Sequence, residues 1–129
     1  MKFKVQKRVN PSRPEGKKIQ FAVPINPGKM TVKDFSAQIA ARSSLTRGDV
    51  ESTLTNFLEA LPAFLRLGMS VQLGDLGTMR LSIQSEGVEE DQSFTTNHIK
   101  GVRVVFVPGI ELKNSLKHIP FEEEKTVFL

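Results

Sequence analysis

Seven basic side chains fall within the first eighteen residues: Lys2, Lys4, Lys7, Arg8, Arg13, Lys17 and Lys18, against Glu15 alone, a net of +6. The rest of the 129-residue chain carries eleven basic and thirteen acidic side chains, a net of −2. Cations gathered at one end suit one kind of chemistry, the electrostatic capture of a polyanion. The plainer reading is a solvated basic hairpin that aids solubility. A second charged cluster has the opposite sign: Glu86, Glu89, Glu90 and Asp91 lie within SEGVEEDQS. Adjacent carboxylates in a polar turn suit solvation better than paired acid–base work. His98 and His118 are isolated and match no metal-ligand spacing. Ser43 and Ser44 read as helix-boundary residues. The GDLG stretch at 74–77 lacks the Lys-Ser/Thr that follows a phosphate-cradling loop, and it lies between strands. There is no cysteine, which excludes disulfides and thiolate metal sites. These residues point to no enzyme, no metal site and no cofactor.

The elements that must position these charges follow from hydropathy and turn residues. KFKVQKRV at 2–9 alternates through Phe3, Val5 and Val9, and KKIQFAVPI at 17–25 alternates through Ile19, Phe21, Val23 and Ile25. NPSRPEG between them is rich in turn formers, so the pair reads as two antiparallel strands, with Pro24 ending the second or placing it at an edge. Thr31 with Asp34, and Thr46 with Asp49, resemble capping boxes with Asp in place of Glu. Phe35 and Ile39 with three alanines give one apolar stripe; Val50, Leu54, Phe57, Leu58, Leu61 and Leu65 give a longer one. Pro62 predicts a kink or local break in the second helix, and Gly68 its stop. The period then changes to two. VQL is a short strand, GDLG a tight turn and TMRLSI a second strand; 85–93 is a polar, mobile tip. FTTNHIKGVRVVFV returns as a strand whose VRVVFV half is apolar enough to be largely buried. IELKNSLKHI closes as an amphipathic helix with Ile110 or Leu112, Leu116 and Ile119 inward, followed by an acidic, then apolar tail.

Three stretches in this order resemble the bacterial histone-like HU and integration host factor family. SLTRGDVESTLTNFLEAL is similar to its second helix, VQLGDLGTMRL to its strand, glycine turn and strand, and VFVPGIELKNSL to its Phe-x-Pro-Gly-x-x-Leu-Lys ending. The basic strands and the KRVNP segment ahead of them resemble an HU-related branch, described mainly from Bacteroidetes, with an N-terminal extension. The resemblance implies an α+β, HU-like fold: two N-terminal helices, a three-stranded antiparallel sheet with a β-arm, and a short C-terminal helix, preceded by a β-hairpin extension. The expected divisions are 1–30 for the basic hairpin, 31–119 for the HU-like domain and 120–129 for a tail. The resemblance also implies an interlaced homodimer that binds double-stranded DNA by phosphate contact and deformation, with little base readout.

The family's arm is basic and ends in a proline-bearing tip. Here residues 80–105 hold Arg80, Lys100 and Arg103 against four acids, a net of −1, and no proline. Val107 and Ile110 stand where lysines often flank the Pro-Gly. Each lost phosphate contact removes about one unit of salt-dependence slope. The arm is therefore not expected to grip DNA as HU's does. The expected DNA contacts are Arg80 and Arg103 on the strands flanking the arm, with Lys100; Thr78 beside Gly77 at the turn; and Lys113, which matches the family's helix lysine, with Lys117 one turn on. Lys2, Lys4, Lys7, Arg8 and Lys18 are expected to form a compensating stripe along one face of the hairpin. Two functions follow as expectations. One is a non-enzymatic, nucleoid-associated, largely sequence-independent DNA-binding homodimer. The other is an HU-fold structural or protein-interaction module that has lost DNA binding because its arm is acidic. A helix-turn-helix reading of residues 31–60 is weaker, because the second helix is too apolar to be a recognition helix. No apolar run is long enough to span a bilayer and MKFKVQKRVN has no signal-peptide core, so a cytoplasmic location without membrane or small-molecule partners is expected.

Overall fold

The computed structural model describes residues 1–125. Residues 126–129 of the expected tail lie outside the described residues. The fold is α+β, consistent with an HU-like fold, with three α-helices and two three-stranded sheets among the described residues. The chain divides into two compact units, one made of 1–29 with 117–125, the other of 30–116.

In the first unit, β1 (Lys2–Arg8) pairs antiparallel with β2 (Ile19–Pro24), Phe3 opposite Pro24 and Arg8 opposite Ile19. β2 ends at its proline and lies at the sheet edge, where the missing N–H disrupts no ladder. The hairpin is not alone, however. β6 (Glu122–Glu123) runs parallel to β1 on its other side, with Lys2 opposite Glu122 and Phe3 opposite Glu123. The Met1 ammonium donates to the Pro120 carbonyl at 2.7 Å, and Glu124 N–H to the Phe3 carbonyl at 2.8 Å.

In the second unit, α1 (Val32–Ala41) and α2 (Arg47–Arg66) each begin on a complete capping box. Asp34 N–H donates to the Thr31 hydroxyl at 3.1 Å and Thr31 N–H to Asp34 Oδ2 at 3.0 Å. Thr46 and Asp49 repeat the arrangement at 3.1 and 3.3 Å. Asp serves in place of the longer Glu because its carboxylate still spans the one turn back. Of the kink or local break expected at Pro62, the break does not occur: α2 continues through the proline. A proline removes one hydrogen bond and crowds the turn before it. Here α2 has a capped start and buries Leu65 beyond the proline, which favours continuing the helix. Ser36 is fully buried, and its hydroxyl donates to the Val32 carbonyl one turn back at 2.7 Å.

The sheet of this unit runs β3 (Val71–Gln72), β4 (Gly77–Ser85), β5 (Ile99–Pro108), all antiparallel. A 3₁₀ turn at Gly74–Leu76 joins the first two. β5 begins at Ile99 rather than Phe94, after a 3₁₀ turn at Thr96–His98. α3 (Ile110–Ser115) is shorter than expected: its cap is Leu116, and His118 takes a positive φ of 61°, which no helix continues through. Ile110 and Leu116 are exposed, and Leu112 is the half-buried member of the expected apolar set within the helix.

The core of a single chain is small. Val50 and Leu65 are its buried apolar residues, at 4% and 7% exposure. The VRVVFV strand, expected to be buried, leaves Val102, Val104, Phe106 and Val107 exposed. α1 and α2 leave a wholly apolar groove of about 230 Å³ lined by Val32, Phe35, Ile39, Leu54, Phe57 and Leu58.

Candidate nucleic-acid interface

Strand alternation sorts the second sheet into two faces of opposite character. The register places Met79 opposite Phe106, Leu81 opposite Val104 and Ile83 opposite Val102, an apolar face. The other face carries Thr78 opposite Val107, Arg80 opposite Val105, Ser82 opposite Arg103 and Gln84 opposite Gly101. Arg80 and Arg103 are therefore diagonal neighbours on one surface, a spacing of about 7–8 Å that long side chains bridge. Both are exposed.

Arg103 is held. With the Gln84 carboxamide turned so that its oxygen meets the guanidinium, that oxygen accepts from Nε at 2.7 Å and from Nη2 at 2.9 Å. The remaining N–H groups of the fork stay free to donate to a phosphate. Gln84 and Ser82 were not among the expected contacts. Their signal was present in TMRLSIQ, where Thr78, Arg80, Ser82 and Gln84 alternate with Met79, Leu81 and Ile83.

Gly77 opens β4 with φ of 143°, a conformation that favours glycine. A Cβ there would press on the Val107 carbonyl and come within 2.9 Å of Pro108 Cα. Gly109, at the start of α3, donates its N–H to the Leu76 carbonyl at 2.9 Å, and a Cβ on it would press on the Asp75 carbonyl. The two glycines thus let the 3₁₀ turn and the β5–α3 junction meet backbone to backbone. This places Thr78 beside Val107 at one end of the polar face.

The other expected contacts are dispersed. Lys100 is skipped by the β4–β5 pairing at the irregularity next to Ser85, and its ammonium lies 3.4 Å from Glu86 Oε1, so its charge is already engaged. Lys113 lies in the last turn of α3, where a cation also suits the helix dipole. Lys117 lies beyond that helix, in the first unit, so the two lysines do not share a helix. The acidic tip is closed on itself: Glu86 N–H donates to the His98 carbonyl at 2.8 Å and Thr95 N–H to His98 Nδ1 at 3.0 Å. Glu89, Glu90 and Asp91 are exposed on it.

In the first unit the expected single stripe of cations divides. Alternation puts Lys2, Lys4 and Arg8 on one face with Ile19, Phe21 and Val23, and Lys7 on the other with Phe3, Val5 and Ala22. Lys18 precedes β2 and belongs to neither strand. The Arg8 guanidinium carbon sits 5.7 Å from the Phe21 ring centroid, within cation–π range. No helix among the described residues is long and apolar enough to cross a membrane.

Comparison with known proteins agrees with this architecture. The family described as "HU domain fused to wHTH, Ig, or Glycine-rich motif" (HU-HIG) matches residues 1–123, and the chain belongs to that family. Among solved structures it is similar to a "Putative bacterial DNA binding protein from Bacteroides vulgatus ATCC 8482", at 14% identity and a TM-score of 0.61. The match covers 95% of this chain and 47% of that one, so this chain spans about half the length of its structural neighbour. No curated protein matches the sequence.

Proposed function

We propose that this member of the HU-HIG family binds double-stranded DNA as a homodimer, through phosphate contacts and without reading base sequence. The observation that carries the reading is the separation of faces on the β3–β4–β5 sheet. One face is apolar and calls for a covering partner. The other presents Arg80, Arg103, Thr78 and Ser82 together. Contacts of such side chains to phosphate and sugar position a protein on the duplex and carry no base information themselves. The family's HU domain and the neighbour's name as a DNA binding protein support the same reading. The role is binding rather than catalysis, and a nucleoid location in the cytoplasm goes with it.

Exposed area supports the homodimer. A single chain exposes 11417 Å². A compact monomer of this mass is expected to expose about 6,800 Å², and two separately compact units about 8,100 Å². The excess of a few thousand Å² is in the range that obligate partners bury. It includes the groove between α1 and α2 and the apolar sheet face.

The test is binding to a random-sequence duplex, followed by fluorescence anisotropy across a salt series, for the wild type and an Arg80→Gln/Arg103→Gln variant. Two contacts per protomer, four per dimer, should lower the slope of log affinity against log salt by about 3.6. A wild type that binds no duplex at low salt refutes the reading and favours the HU-fold interaction module. An unchanged slope in the variant removes the sheet as the contact surface.

A further inference from the structure

We infer that the basic face of the β2–β1–β6 sheet is a second phosphate-binding surface for duplex DNA, and the main source of this chain's attraction to it. The inference rests on the DNA-binding reading above. The unit of residues 30–116, which holds the HU-like elements, carries eight basic and ten acidic side chains, a net of −2. The unit made of 1–29 with the chain's C-terminal segment carries ten basic and four acidic side chains, a net of +6. A unit that is net negative repels a polyanion at long range, whatever its two arginines do at contact. The long-range attraction therefore has to come from the other unit.

The sheet presents that charge on one side. Lys2, Lys4 and Arg8 share a face and are exposed. Among the described residues no carboxylate lies within 4.0 Å of their cationic groups. Residues two apart on a strand recur at about 6.8 Å. Each strand of a duplex offers one phosphate per about 3.4 Å of helix axis, so cations at this spacing find phosphates within reach. Arg8 is steadied over Phe21, which limits the rotamer freedom it loses on binding. The opposite face has other business: Phe3, Ala22 and Pro24, with Met1 and Phe121, line an apolar pocket of about 430 Å³. Lys7 is the one β1 cation on that side. The acidic strand β6 opposes the surface, since Glu122 is paired with Lys2, and it should weaken binding.

The experiment compares full-length Lys2→Gln/Lys4→Gln/Arg8→Gln with Lys7→Gln, on a random duplex across a salt series. The triple variant should lose affinity at low salt on the order of tenfold or more, with the slope reduced by about 2.7 per protomer. Lys7→Gln should stay within about twofold of the wild type. Glu122→Gln should bind more tightly. A charge-retaining Lys2→Arg/Lys4→Arg/Arg8→Lys variant should bind as the wild type does, which separates lost charge from lost folding. A triple variant with wild-type affinity and slope, or a Lys7→Gln loss equal per charge to the triple's, overturns the inference. If Arg80→Gln/Arg103→Gln abolishes binding while the triple variant is unaffected, this surface fails and the sheet reading stands. If the wild type binds no duplex, both fall.

Discussion

Phe57→Ala should dissociate the protein. Phe57 lies in the apolar groove between α1 and α2 and is 46% exposed in a single chain. A phenylalanine side chain contributes roughly 200 Å², so about 100 Å² of its surface would be covered by the partner in the proposed homodimer. At about 25 cal/mol per Å² this is about 2.5 kcal/mol, of which the retained Cβ keeps a small part. A two-fold dimer holds two copies of the site. The dimer therefore loses about 4 kcal/mol, close to three orders of magnitude in Kd. Differences between variants are firmer than absolute sums over interface area, which do not convert to affinity. Sedimentation velocity from nanomolar to tens of micromolar should show a stable wild-type dimer and a variant that dissociates within that range. Thermal melting should depend on protein concentration for both. A wild type that sediments as a monomer at tens of micromolar, with a cooperative melt independent of concentration, would rule out the dimer. A variant with unchanged Kd would remove the groove from its interface.

Three further outcomes follow from the local geometry. Gly77→Ala forces a Cβ against the Val107 carbonyl at a left-handed φ, and should lower stability by about 2–4 kcal/mol, read by urea denaturation. Removing the hydroxyl caps with Thr31→Ala or Thr46→Ala should cost about 1 kcal/mol each at neutral pH. Hydrogen bonds from the Thr31 N–H, then its hydroxyl, hold the Asp34 carboxyl below its ordinary 3.8; the Thr46 hydroxyl, then its N–H, do the same for Asp49. The unfolded chain therefore takes up these protons first. This part of the stability is complete above about pH 4 and is lost as pH falls through the depressed folded values. The two alanine variants should flatten that acid limb in denaturation curves taken between pH 5 and 2. Neutralising the tip with Glu89→Gln/Glu90→Gln/Asp91→Asn should tighten duplex binding at low salt and leave it unchanged at high salt, measured by anisotropy; equal affinity at low salt would show that the tip's charge does not act on the duplex.

Much of the fold could be read from short-range pattern. Thr and Asp three residues apart, followed by an apolar stripe, marked both helix starts, and both boxes are closed by hydrogen bonds. Period-two alternation in TMRLSI and the apolar run VRVVFV mark strands β4 and β5, and the register between them puts Arg80 and Arg103 on a common face. What could not be read depends on distant or absent partners. β6 pairs residues 2 and 122, and nothing local in FEEEK signals a parallel neighbour at the far end of the chain. VRVVFV is apolar enough to be expected in a core, but within one chain Val102, Val104, Phe106 and Val107 are exposed. The expected basic stripe divides for a simpler reason: side chains on a strand alternate, so Lys7 cannot share a face with Lys4 and Arg8. The Gln84 clamp on Arg103 required the register, which the two strands alone do not specify when a bulge intervenes at Ser85.

The acidic tip gains its meaning from the distribution of the remaining charge. Four of the ten acids of residues 30–116 sit between Glu86 and Asp91, and one of them already engages Lys100. The polar face keeps two arginines, flanked by Val105 and Val107 rather than further cations. Four such contacts in a dimer release few counterions, a slope of about 3.6, which is small for a protein meant to stay on DNA. Three more cations per protomer on β1 would raise the total from four to ten. In that arrangement the tip is not a weakened clasp. Its negative charge would hold the tip away from the duplex, and residues 80–105 offer no proline to wedge between base pairs. Binding through two such sheet surfaces would obtain its free energy mainly from phosphate contact. Its affinity should then follow ionic strength closely and DNA sequence hardly at all.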